Sequence, residues 1–281
     1  MLYININNKQ LHTAYQALNE RDSMVVPLRL PHFSQADLGR VLNLSFAGAT
    51  AEVVNLFFGT AIDGRSIDIC LKENQFIPEP LDRKTLVVKL HKDDEHGFEA
   101  LINRIGKLIS NVPLQQYCWL HVAIRIGLLF GLAADLRRCG IRSVDIAVYS
   151  NDLKDLLPIA YAKKMGVPVN KIICGCLRED DLWKLLHAGS LSALNDPLVR
   201  ELVYGYTFNK DVIVDDELLT RINEEIITFV ISLKRRTELA SNVLSTYGRI
   251  IDSNASVAYG ALQDYRSSSG ENNITIIYSE E

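Results

Sequence analysis

No block of lysine or arginine occurs in the 281 residues. The 30 Lys and Arg are outnumbered by 34 Asp and Glu, for a formal net charge of −4 and an isoelectric point of about 5.9. Nucleic acid is held first through its phosphates, so this balance gives no case for it. A long apolar run is missing too: the most apolar stretch, residues 123–134, is broken by Arg125 and falls short of the roughly 20 residues a bilayer span needs. The opening MLYININNKQ lacks the basic flank and apolar core of a secretory signal. No nucleic acid, no membrane and a cytoplasmic location are the expectations.

Cysteine is sparse and odd in number: Cys70, Cys118, Cys139, Cys174 and Cys176. A chain of this length folds without staples, so reduced and mostly buried thiols are expected. Cys174 and Cys176 fall in the apolar run 171–177, where strand packing explains them better than a metal does. There is no Walker-type P-loop, G-x-S-x-G elbow, H-E-x-x-H or paired C-x-x-C, and no internal repeat. Low complexity is confined to 267–270, read as a surface turn. Spacing alone therefore leaves the function open.

What is present is an ordinary globular composition, 48% apolar and 23% charged, enough for one large core or two smaller ones. The first part reads as short helices: Ser34 precedes QADLGRVLNL, Ser45 precedes FAGATAEVVNLFFG, and both serines are N-cap candidates. An amphipathic helix over 63–73 and an alternating strand over 85–91 follow. Helices are then expected over 98–110, 119–139, 152–165 and 179–188, the last three closed by Gly140, Gly166 and Gly189. Strands over 143–149 and 171–176 alternate with them. Helices near 215–236, 237–247 and 254–265 lead to a final strand at 273–278. Strand–helix–strand units with short loops predict an α/β fold: a mostly parallel sheet with helices on both faces, plus a mainly helical N-terminal part.

One stretch resembles the edge of an active site. KLHKDDEHGFEALINRIGKLIS places His91, His96, Asp93, Asp94, Glu95 and Glu99 within nine positions. A spacing of five from His91 to His96 in an irregular loop is not a helical ligand pair, and acidic loops are usually solvated, so no metal is expected. His121 lies on the apolar helix and reads as a hydrogen-bonded core histidine. Arg125, a single charge inside that helix, must meet a carboxylate or a surface.

Three segments in order resemble threonine synthase, the pyridoxal-phosphate enzyme of fold type II that makes threonine from O-phosphohomoserine. They are VVPLRLPHFSQADLGRVLNLSFAGATAEVVNLFFG, then VDIAVYSNDLKDLLPIAYAKKMGVPVNKIICGCLREDDLWKLLHAG, then LSTYGRIIDSNASVAYGALQDYR with ITIIYS. The resemblance implies the fold of that family's large domain. It also exposes losses. Lining up His91, Phe98 and Arg104 with the family's HGPTLAFKDFGGRF puts Glu99 where the Schiff-base lysine belongs, and a carboxylate cannot condense with an aldehyde. Ala100 replaces the following Asp, and Ile102 and Asn103 replace the glycine pair. The phosphate loop, S-G-N-F-G-N in the family, matches Ser150, Asn151, Asp152, Leu153, Lys154 and Asp155, with both glycines gone. Asp152 is read as the cap of the next helix, with Lys154 and Asp155 on its solvated face.

Between Arg104 and Arg125 the family inserts its smaller domain. Here 111–118 leave no room for one, which takes roughly 50 residues or more. Ser279 is a candidate for the position facing the pyridine nitrogen, although Asn254 and Ala255 replace a nearby His-Thr pair. The resulting division is 1–97, like the family's N-terminal part, and 98–281, like its large domain without the small one. No cofactor is expected, and a binding or regulatory role is the leading reading. The alternatives are a divergent lyase using pyridoxal phosphate on a relocated lysine such as Lys92, and a structural partner of another chain. The apolar helix over 119–139, left without the small domain, is expected either to seek a homo-oligomeric or other protein partner or to be covered by the N-terminal part.

Overall fold

The structure is a computed structural model. It describes all residues except 14, 15, 17–24, 72–75, 91–97, 110–118, 151, 152, 210, 212 and 281. Both serine caps form as expected. Ser34 accepts from the Asp37 N–H to start α1 (Gln35–Val41), and Ser45 accepts from the Gly48 N–H to start α2 (Phe46–Phe58). α3 (Gly64–Leu71), α4 (Phe98–Ile109) and the 20-residue α5 (Trp119–Arg138) follow. α5 matches the expected span to within one residue, and by length and composition it could cross a bilayer. It lies instead inside the fold, with Ile126, Leu129 and Phe130 all buried by this chain.

The cover comes from α2. A Cβ added at Gly131 would sit 2.7 Å from the Phe46 carbonyl oxygen, and one at Gly127 3.0 Å from that of Thr50. Glycine four residues apart thus lets two helix backbones close on each other. An outside partner and the N-terminal part are the two covers expected for this apolar face of α5. The N-terminal part closes it.

The main sheet has six strands in the order β4-β5-β9-β6-β7-β8: β4 (Glu79–Pro80), β5 (Thr85–Leu90), β6 (Val144–Tyr149), β7 (Val169–Cys176), β8 (Ile226–Val230) and β9 (Thr275–Glu280). All pairs are parallel except β4 with β5. Its strands read as near-continuous apolar runs because both faces are covered. Val148, Ile172, Ile276 and Tyr278 face the larger core with α2, α5 and α6 (Leu156–Met165). Val87, Ala147, Ile173 and Ile277 face the smaller one under α10 (Leu233–Tyr247) and α11 (Ser253–Ser269). α7 (Asp181–Ala188), a 3-10 turn (Leu191–Asn195), α8 (Pro197–Thr207) and α9 (Asp216–Glu225) complete the chain.

One expectation fails. Residues 226–230 form a strand where a helix was expected: Asp215 caps α9, which runs directly into the β-branched Ile226-Ile227-Thr228, and β8 then pairs with β7, Ile172 beside Ile226. The N-terminal part, mainly helical as expected, also holds strands. β1 (Leu2–Asn5), β2 (Leu11–Thr13) and β3 (Val25–Pro27) make a small antiparallel sheet ordered β2-β1-β3. Its Tyr3 hydroxyl donates to the Phe57 carbonyl oxygen at 2.8 Å, seating the sheet on α2. Residues 1–97 and 98–281 share one core, since Tyr3, Val54 and Phe57 belong to the same cluster as Phe130 and Tyr278, and β5 lies inside the main sheet.

Candidate functional site

Glu99, His121, Arg125 and Asp155 come from three separate segments and meet in the region that follows the carboxyl ends of β5 and β6. His121 and Arg125 are one turn apart on α5, so they share a face. The Arg125 side chain is only 1% exposed, and its guanidinium lies between two carboxylates. Nη2 donates to Glu99 Oε1 at 3.3 Å and Nη1 pairs with Asp155 Oδ1. His121 Nε2 stands 3.6 Å from Glu99 Oε2, so the core histidine also faces the carboxylate. A buried guanidinium is tolerable only when paired, and its planar fork suits two carboxylates at once. The two are held differently: Asp155 is enclosed with 13% of its side chain exposed, while Glu99 is 53% exposed.

Asp155 therefore does not lie on a solvated face, as its helical position suggested. It makes no side-chain cap to α6, which begins at Leu156 rather than 152, and its charge is committed to Arg125. Lys154 is half-buried, and Asn151 and Asp152 lie outside the described residues. Leu153 adopts φ 57°, the left-handed region where a branched bulky side chain is rare, and it is buried there. A left-handed leucine costs about 1–3 kcal/mol, which the surrounding packing must offset.

Ser150 is buried, its hydroxyl 2.9 Å from Asp180 Oδ2 and 3.2 Å from the Gly175 carbonyl oxygen. Asp180 also caps α7 through the Trp183 N–H, and burial pushes its carboxyl above the ordinary carboxylate range. Beside them, beyond the carboxyl ends of β6 and β7, lies a polar cavity of about 410 Å³ whose walls include Ser150, Leu153, Arg178, Asp180, Lys184 and Asp196. The carboxyl edge of a parallel sheet is where open α/β folds hold their ligands. Asp180 and Asp196 are absent from the sequence-level candidates, although each shows the signature of a helix cap, before Asp181-Leu182 and before Pro197. Ser279 is 2% exposed, and its hydroxyl donates to Asp252 Oδ1 at 2.8 Å, the same oxygen that caps α11 at the Ala255 N–H. That serine is tied into a helix cap.

His91, Lys92, Asp93, Asp94, Glu95 and His96 lie outside the described residues. Among the described residues no three of His, Cys, Asp and Glu converge as a metal site. Cys70, Cys174 and Cys176 are buried free thiols and Cys139 an exposed one. Burial pushes the Cys176 thiol up to about 12, so it packs and does not react.

No family model and no curated protein matches the sequence. Solved structures do match, and they define the class first: a mixed α/β protein with a mostly parallel sheet of the threonine synthase type. Threonine synthase from Escherichia coli superposes with a TM-score of 0.71 at 14% identity, covering 99% of this chain and 87% of that one. PLP-bound threonine synthase from Brucella melitensis gives 0.73 at 12%, covering 99% and 88%, and threonine synthase from yeast gives 0.70 at 11%, covering 99% and 86%. Identities this low establish the fold and nothing finer.

Proposed function

We propose that this threonine synthase-like protein has given up pyridoxal-phosphate catalysis and serves a binding or regulatory role in the cytoplasm. The observation that carries the reading is Arg125 clamped between Glu99 and Asp155. Those carboxylates stand at the two positions where the family resemblance would put the Schiff-base lysine and the phosphate loop. A cofactor aldehyde needs an amine, and Glu99 has none to give. A phosphate dianion needs free donors, and here a second carboxylate already takes the buried guanidinium. The residues present do not fit pyridoxal phosphate. The nine residues between α4 and α5 also leave no space for a further domain to close over the site. Ligand binding falls instead to the polar cavity at the ends of β6 and β7.

The test is spectroscopic. Purified protein incubated with pyridoxal phosphate and dialysed is expected to show no aldimine band at roughly 410–420 nm, since that band requires a condensed amine. A band that survives dialysis and vanishes when one lysine is replaced would overturn the reading and point to a relocated lysine such as Lys92.

A further inference from the structure

The sheet ends on β8, and among the described residues nothing pairs with its outer edge. Natural proteins blunt such edges with proline, lysine, a bulge or a very short strand. β8 carries none of these: Ile226-Ile227-Thr228-Phe229-Val230 holds no charge, proline or glycine, and its register with β7 runs unbroken from Ile226 to Val230. Apolar side chains lie open beside it, Val230 at 43% and Leu233 at 59% exposed. A strand of this composition pairs with whatever extended chain it meets.

We propose that the edge is covered by β8 of a second copy of this chain, extending the sheet across a two-fold axis. A two-fold perpendicular to the sheet sets a strand against itself in antiparallel sense, the commonest closed symmetry for a homo-oligomer. With Thr228 nearest the axis, Ile226 of one copy stands beside Val230 of the other, and Ile227 beside Phe229. The flanking charges select this partner. Exposed Glu224 precedes the strand, and Lys234, with 87% of its side chain exposed, follows it together with Arg236. Antiparallel pairing lays the acidic end of each copy against the basic end of the other, twice over. A strand edge alone falls short of the roughly 1,200 Å² that stable interfaces bury. Leu233 and the first turn of α10 extend the patch at both ends.

Sedimentation or light scattering on the full chain at tens of micromolar is expected to give about twice the 31.6 kDa chain mass. Val230→Lys puts a charge on the strand and is expected to give a monomer with unchanged circular dichroism. Glu224→Lys and Lys234→Glu alone are each expected to weaken the dimer tenfold or more, and the double variant to recover it. A monomeric wild type overturns the proposal. So does a dimer indifferent to Val230→Lys, or one whose single charge reversals are not rescued in combination. If Val230→Lys fails to fold, the two exposed charge positions decide the matter.

Discussion

Arg125 is the residue whose neighbours could not be read from its place in the chain. Its position inside an apolar helix required a partner, but Glu99 lies 26 residues before it and Asp155 30 after, and only the fold brings them together. Removing the cation should leave Asp155 buried and uncompensated. Arg125→Met is expected to destabilise by about 3–5 kcal/mol, and adding Asp155→Leu to recover most of it, as replacing a whole buried pair by apolar groups is often neutral. Glu99→Gln, at a half-exposed carboxylate, is expected to shift stability by less than about 1 kcal/mol. Chemical denaturation of the three variants checks the order. Glu99→Lys restores an amine but neither a phosphate cradle nor a closing domain, and groups that act as a unit do not return singly, so it is expected not to complement a threonine auxotroph.

Glu201 makes a second prediction at this scale. It is 1% exposed on α8, its Oε2 has no hydrogen-bond partner, and burial pushes its carboxyl from an ordinary 4.5 up to about 8. The folded state therefore holds a proton that the unfolded state releases. Its contribution is fully present below about pH 4.5 and is lost as the pH rises toward about 8. Glu201→Gln is expected to flatten the fall in stability over that window, on the order of 5 kcal/mol in the wild type, as thermal melts at several pH values would show.

Elements with a chemical start and stop were legible. The Ser34 and Ser45 caps and the left-handed glycines Gly140, Gly166 and Gly189 mark real ends. β8 escaped because α9 enters it with no intervening turn residue, so the helical period of 216–225 was carried too far. β1 to β3 escaped because strands of three or four residues hold too little alternation to outvote their neighbours. The glycine pair on α5 is another signal that sequence offers without explaining. Gly131→Ala would place a methyl carbon 2.7 Å from the Phe46 carbonyl oxygen, and α2 and α5 would have to separate. The expected loss is about 1–3 kcal/mol, against almost none for Gly39→Ala, which meets nothing within 4 Å. Melting temperatures of the two variants make the comparison.

For the whole molecule, the resemblance located the fold correctly, while the boundary at residue 97 marks no break in the packing. A chain begun at residue 98 loses β5 from the sheet and α2 from the flank of α5, exposing a 20-residue helix that is buried along nearly its whole length. Such a fragment is expected to aggregate or to show no dispersed amide spectrum, whereas two independent bodies would let it fold.

The position of β9 carries a consequence for how the protein is made. Its neighbours in the sheet are β5 and β6, with Val88 and Val148 both beside Tyr278, yet β9 follows each of them by more than a hundred residues. A nascent chain leaving the ribosome thus carries two halves of a sheet that cannot touch, each with an apolar strand edge waiting for the same late insert. Contacts so distant along the chain form slowly. Until residues 275–280 arrive, the half-built sheet is a substrate for chaperones and for neighbouring chains on the same polysome.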